Sequence, residues 1–129
     1  MLTGLERYKS VQVKTSSPGE VLMMLFDGMF KFIDEAIDAL KRDDRARAGE
    51  RIGRAHAILT ELSASLNRAA APELCENLEA VYFFSMSKLL EANLHRDVSR
   101  LEDVKRILEP VRDGFRIAVA ESSRERGAA

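Results

Sequence analysis

A helix-start signal running straight into the most apolar stretch of the chain, residues 15–28, constrains the fold more than any other feature. Ser17 is a good N-cap, because its hydroxyl can accept from a free backbone N–H two or three residues on. Pro18 suits the first helical position, where its missing N–H costs nothing. Glu20 stands three residues after Ser17, completing a capping-box pattern. The helix that follows, over about 18–41, carries two apolar sets. Leu22, Leu25, Met29, Phe32 and Ala36 form one; Phe26, Phe30, Ile33, Ile37 and Leu40 form the other. The second set is turned by roughly 40° from the first, at about 100° per residue. Together they make a face too wide for a two-stranded seam, so this helix must meet more than one neighbour.

Three further helices follow the same logic. A polar break at Lys41-Arg42-Asp43-Asp44 puts basic residues at a helix end and acidic ones at the next start. Helix two is predicted over 44–68, with the seam Ile52, Ala55, Leu59, Leu62 and Leu66. Its opposite face carries small residues: Ala46, Gly53, Ala57 and Ala64. They either admit the backbone of another chain or serve as surface helix formers. Pro72 opens helix three, predicted over 72–94, with the core face Leu74, Leu78, Val81, Tyr82, Ser85, Leu89 and Ala92. Phe83, Met86, Leu90 and Leu94 form a second apolar stripe off that face. This stripe is either an interaction patch or is covered by a neighbouring helix or the N-terminal arm. Asp97 can cap helix four, predicted over 98–122 with Leu101, Val104, Leu108, Val111, Phe115 and Ala118 inward. Pro110 predicts a kink near Arg106–Pro110, and residues 122–129 read as frayed. Residues 1–16 have no clean period; they form an arm that either docks on something or frays along the bundle.

Helices of roughly 24 residues, each about 36 Å long, joined by breaks of a few residues, favour antiparallel neighbours. The expected architecture is all-α: an up-down-up-down four-helix bundle in a single domain over 1–129.

Composition narrows the function classes. Charged residues make up 32% and hydrophobic residues 46%, as in a globular chain. A net charge of −1 gives no electrostatic case for nucleic acid or an anionic membrane. The single cysteine, Cys75, excludes an internal disulfide and reads as a small buried residue near a helix start. Residues 1–14 lack the apolar core of a signal peptide, and no apolar run spans a bilayer, so a cytoplasmic location is expected.

Catalytic chemistry finds no support. The Glu-x-x-His pairs of di-iron bundles are missing, and two histidines with one distant cysteine make no zinc site, so neither metal nor cofactor is expected. His56 raises a phosphotransfer module, but the Lys and Gly that such domains place after the histidine are not in Ala57-Ile58-Leu59. No phosphate loop or nucleophile elbow occurs. What remains is surplus apolar surface on a small helical scaffold. That suggests a non-enzymatic protein that binds another chain along its grooves.

The residues also carry a family resemblance. Tyr8, Val11 to Val13, Thr15-Ser16-Ser17-Pro18 and Leu25-Phe26-Asp27-Gly28 resemble the opening signature of the FliS flagellar export chaperones. Ile52, Ala55, Ile58, Leu59, Glu61-Leu62 and Ser65-Leu66-Asn67 resemble that family's second helix. Asn77-Leu78, Tyr82, Met86, Leu89 and Ala92-Asn93 resemble the third, and Leu101, Val104, Leu108 and Phe115 the fourth. The match covers nearly the whole chain. It departs at Phe26, where the family often has Tyr, at His56 for Gln and at Phe115 for Trp.

The resemblance implies a cytoplasmic chaperone that wraps the disordered C-terminal segment of flagellin, blocks early polymerisation and aids flagellar type III secretion. It adds Ile58 and Asn93 to the small and apolar stripes as candidate flagellin contacts. It also implies a contact of the arm with the flagellar export gate, through Leu5 and Tyr8. A monomer or weak homodimer is expected. The competing class is a self-associating structural bundle. On this reading helix one is mostly inner wall, and helices two and three carry the working surface, with the arm as a movable cover.

Overall fold

A computed structural model describes residues 17–128. The arm, with Leu5 and Tyr8, lies outside the described residues. Four helices follow in order: α1 (Pro18–Lys41), α2 (Arg45–Ala64), α3 (Pro72–His95) and α4 (Val98–Ala128). No strand occurs among the described residues.

The predicted caps form. The Ser17 hydroxyl accepts from the Glu20 N–H at 3.2 Å, and Pro18 occupies the first turn. Between α1 and α2 the chain turns within three residues. Asp43 takes a left-handed φ of 59°, and the Asp44 N–H bonds back to the Ala39 carbonyl at 2.8 Å. Asp44 then caps α2, accepting from the Arg47 N–H at 3.1 Å. Arg96 makes the second left-handed turn, with φ 52°. Asp97 accepts there from the Ser99 N–H at 2.9 Å and from the Ser99 hydroxyl at 2.8 Å. The hydroxyl bond is the largest influence holding the Asp97 carboxyl below its ordinary value.

Helix ends depart from expectation in two places. Helix α2 stops at Ala64 rather than at 68, because the local polar groups build a turn. The Ser65 hydroxyl donates to the Leu62 carbonyl at 2.9 Å, and the Asn67 side chain accepts from the Ala70 N–H at 3.3 Å. Such side-chain bonds compete with helix continuation. Helix α4 runs on to Ala128, past the predicted end at 122, with Pro110 inside it. Pro110 and Arg106 are both exposed, so the backbone bond that proline removes lies on the solvent side.

Neighbours pack in a ring: α1 on α2, α2 on α3, α3 on α4, and α4 back on α1. Among the described residues the diagonal pairs make no Cα approach within 8 Å. This is the expected four-helix bundle. Its centre is Phe26, Met29, Ile33, Ile52, Leu59, Leu62, Tyr82, Leu89, Leu101, Val104 and Leu108, all 2% exposed or less. Cys75 is buried as well.

Two positions correct the predicted core lines. Leu74, in the first turn of α3, is 54% exposed. Ala118 is exposed, because the inward line of α4 steps from Phe115 to Val119. Val119 closes on Gly19, where an added Cβ would stand 2.9 Å from its Cγ1; glycine here lets the C-terminal part of α4 meet the start of α1. Ser85 is fully buried with its hydroxyl unpartnered, a cost of about 1–3 kcal/mol.

Ion pairs decorate the seams. Lys105 meets Asp34 at 2.7 Å and Arg116 meets Asp27 at 2.8 Å between α4 and α1. Arg100 meets Glu91 at 3.3 Å between α3 and α4, and Arg68 pairs with Glu79 beside α2 and α3. Exposed pairs of this kind contribute about 0–1 kcal/mol each, so burial dominates the stability.

Burial, with the nearby Cys75 adding to it, pushes the Tyr82 phenol from 10.0 up to about 12. The folded protein therefore holds that proton longer than the unfolded chain does. The stabilisation is complete below pH 10 and is lost as pH rises from 10 to 12, by about 2–3 kcal/mol. Alkaline unfolding titrations should show a shallower decline for Tyr82→Phe than for wild type across that window.

Candidate partner-binding surface

The outward spine of α2 holds the candidate surface together. Gly53 and Ala57 are exposed there, and neither covers the space beside it. Across from them, α1 presents Met24, Leu25, Gly28 and Phe32. Between the two helices lies an open groove of about 990 Å³. Ile58 belongs to its floor. With 1% exposure it is core, not the surface contact expected from the sequence. The cause is angular: Ile58 projects from α2 towards α1, where an added Cβ on Gly28 would stand 3.8 Å from its Cδ1.

The rim of the groove is polar. Arg54 bonds Glu50 at 2.5 Å, and Arg51 lies 3.5 Å from the same carboxylate. Both guanidinium groups lie near the Phe32 ring, at 5.7 and 5.8 Å from its centroid. On the α1 side, Glu35 is bound to Arg47 at 3.2 Å. The Phe32 ring thus lies near two cations while its body packs against the core.

The remaining candidates divide. Ala46 and Ala64 are exposed near the two ends of α2 and do not line the groove. On α3, Phe83, Leu90 and Leu94 are 52%, 57% and 76% exposed. Met86 is half-buried against the core, and the Thr60 hydroxyl of α2 lies 3.7 Å from its sulfur. Asn93 is exposed, and its Oδ1 would lie 3.4 Å from a Cβ at Gly49 on α2. The small residues of α2 therefore stand between two apolar surfaces, the groove against α1 and the strip on α3.

Sequence reasoning missed one wall. Met24, Leu25 and Phe32 belong to α1, which was expected to be mostly inner wall. They lie at one edge of its wide apolar face and remain partly open. The signal was the excess width of that face. Phe84, 52% exposed, is another large apolar group that the stripe on α3 left out. His56 is half-buried, and its carbonyl accepts from the Thr60 hydroxyl at 3.1 Å. Among the described residues no group of three or more His, Cys, Asp or Glu side chains is placed to hold a metal ion. None of the described helices is long and apolar enough to cross a membrane.

A small helical bundle with an open groove beside a stripe of small residues has the shape that helix-in-groove recognition uses. Its family follows from comparison with known proteins. A family profile described as "Flagellar protein FliS" matches residues 1–122, and the chain belongs to the FliS family. It is 33% identical over 119 residues to the flagellar secretion chaperone FliS of Bacillus subtilis, covering 92% of this chain and 88% of that one. It is 28% identical over 118 residues to the flagellar secretion chaperone FliSB of Pseudomonas aeruginosa, covering 88% and 94%. Against the FliS chaperone of Salmonella typhimurium, identity is 29% over 119 residues, with 88% of each chain covered.

Proposed function

We propose that this chain is a cytoplasmic, non-enzymatic secretion chaperone that binds the disordered C-terminal segment of flagellin and keeps it from polymerising before export. The α1–α2 groove carries this reading. Gly53 and Ala57 leave room for a second helix, and Met24, Leu25 and Phe32 offer apolar surface for its anchors. A disordered amphipathic segment gains by folding onto such a groove, because burial of its apolar face offsets the cost of ordering. The strip of Phe83, Met86, Leu90, Asn93 and Leu94 on α3 extends the same surface around α2. Leu5 and Tyr8 of the arm are proposed to meet the export gate once the groove is filled.

Calorimetric titration with the C-terminal segment of the flagellin from the same organism is the direct test. One-to-one binding with a negative heat-capacity change is expected, the mark of apolar burial. A segment that neither binds nor gains helicity with the protein would overturn the reading.

One observation favours a second reading. Phe83, Phe84, Leu90 and Leu94 each expose more than half their surface on one helix, as a self-associating bundle would require. Sedimentation separates the two. A tight dimer that the flagellin segment leaves intact supports the structural bundle; a monomer or weak dimer converted to a one-to-one complex supports the chaperone.

A further inference from the structure

We infer that the α1–α2 groove orients the helix it binds by charge: an acidic side chain of that helix lies at the Lys31–Arg54 end, about two turns from a large apolar side chain seated over Met24 and Leu25. This rests on the groove being the flagellin site and states which way its occupant lies.

The two ends of the groove differ in chemistry. Gly28 stands level with Ile58, where an added Cβ would lie 3.8 Å from the Ile58 Cδ1. On one side of that level the lining is Met24, Leu25 and the exposed Ala57, all apolar. On the other side, one turn along α1, Arg51 and Arg54 approach the Phe32 ring at 5.7 and 5.8 Å. Lys31, next to Phe32 in the chain, lines the same groove, and Lys31 and Arg54 are both exposed. From Lys31 to Met24 is seven residues, about 10 Å along the helix, and a partner helix lying in the groove covers that span in two turns.

The charged residues of the lining balance by number, three cations against Asp27, Glu35 and Glu50, but they do not balance by pairing. Asp27 is engaged by Arg116 of α4 at 2.8 Å, and Glu35 by Arg47 at 3.2 Å. Neither of those arginines lines the groove. Glu50 is left to be shared between Arg51 at 3.5 Å and Arg54 at 2.5 Å. Lys31 makes no ion pair among the described residues. Three groove cations therefore answer to one carboxylate, and the surplus stands at one end. A carboxylate of the partner is attracted there and an ammonium is repelled. In the reversed orientation the same carboxylate would lie over Met24 and Leu25, losing water with no counter-charge to replace it. The two orientations thus differ in electrostatic energy even where their apolar contacts are alike.

The test uses the full-length protein and the purified C-terminal segment of the same organism's flagellin. Affinity is measured for wild type, Lys31→Glu and Arg54→Glu, with Arg106→Glu, on α4 outside the groove, as the control for net charge. In about 0.1 M salt each groove variant should bind about tenfold more weakly than wild type, and Arg106→Glu within about twofold. In about 1 M salt, where charges more than about 3 Å apart are screened, the groove variants should come within about threefold of wild type. Each Asp and Glu of the segment is then changed to Lys in turn. At one position the change should weaken wild-type binding about tenfold and strengthen binding to Lys31→Glu or Arg54→Glu. An apolar residue of the segment about two turns from that position should be the one whose change to Ala is felt equally by all four proteins. Circular dichroism checks that the variants keep their helices, and if one unfolds the other carries the comparison. If the groove variants bind as wild type does, lose no more than Arg106→Glu, or find no rescuing position, the inference fails; the groove reading stands as long as the parent segment binds wild type. If the parent segment does not bind wild type, both fall together.

Discussion

Phe26→Ala lowers the unfolding free energy by about 3–5 kcal/mol, the cost of emptying an aromatic site in a packed core. Phe26 is 0% exposed. Its ring stands 5.7 Å from that of Phe115, tilted by 34°, a geometry that adds about 0.5–1.5 kcal/mol beyond area burial. The pair joins α1 to α4, where the chain closes the ring of helices. Relaxation cannot fill the cavity cheaply, because Met29, Ile33, Leu59 and Leu108 are already fixed in the same cluster. Urea unfolding followed by circular dichroism should show a lower midpoint with an unchanged slope. A loss under 1 kcal/mol would mean that α4 does not clamp Phe26 as described. Small domains have only about 5–15 kcal/mol in hand, so the variant must be compared with wild type at low temperature.

The role of Phe26 was readable from the sequence, and so was most of the fold. Alternating steps of three and four are a direct consequence of helical geometry, and side chains placed on that period have little choice but to meet a core. Ser17, Pro18, Asp44, Pro72 and Asp97 signal helix starts through their own chemistry, so those boundaries could be read locally. The end of α2 could not, because Ser65 and Asn67 can sit in a helix or close a turn, and only the completed turn decides. Leu74 has a core-like period but lies in the first turn of its helix, too near the end of the bundle to be covered. Periodicity knows angle and not height.

The groove was half legible for a related reason. The small residues of α2 marked one wall, since Gly53 and Ala57 leave a gap wherever they stand. The other wall is built from large apolar residues of α1, and from sequence alone an apolar residue at the edge of a wide face looks the same as one at its centre. Met24, Leu25 and Phe32 had to be seen beside α2 to be recognised as partly open. The polar rim was less legible still. Whether Glu35 and Arg51 pair with each other or with Arg47 and Glu50 depends on side-chain positions that helical period does not set.

This division between the walls makes the small stripe testable residue by residue, and the two ends of α2 should behave differently. Ala57→Trp places an indole in the groove from an exposed position, against the space over Ile58. The side chain has room in the free protein, so folding stability should move by no more than about 0.5 kcal/mol. It leaves no room for a second helix, and affinity for the flagellin segment should fall at least hundredfold, or about 2.7 kcal/mol. Ala64→Trp makes the same change at the last residue of α2, outside the groove lining. Its affinity should stay within about threefold of wild type, or 0.7 kcal/mol. Titration calorimetry on both variants, with thermal melts as the control for folding, decides the matter. If Ala64→Trp loses binding while Ala57→Trp keeps it, the partner lies along α3 and the far end of α2, and the groove against α1 is ordinary surface. If both lose it, the partner covers the whole spine of α2, and the strip from Phe83 to Leu94 belongs to the same interface.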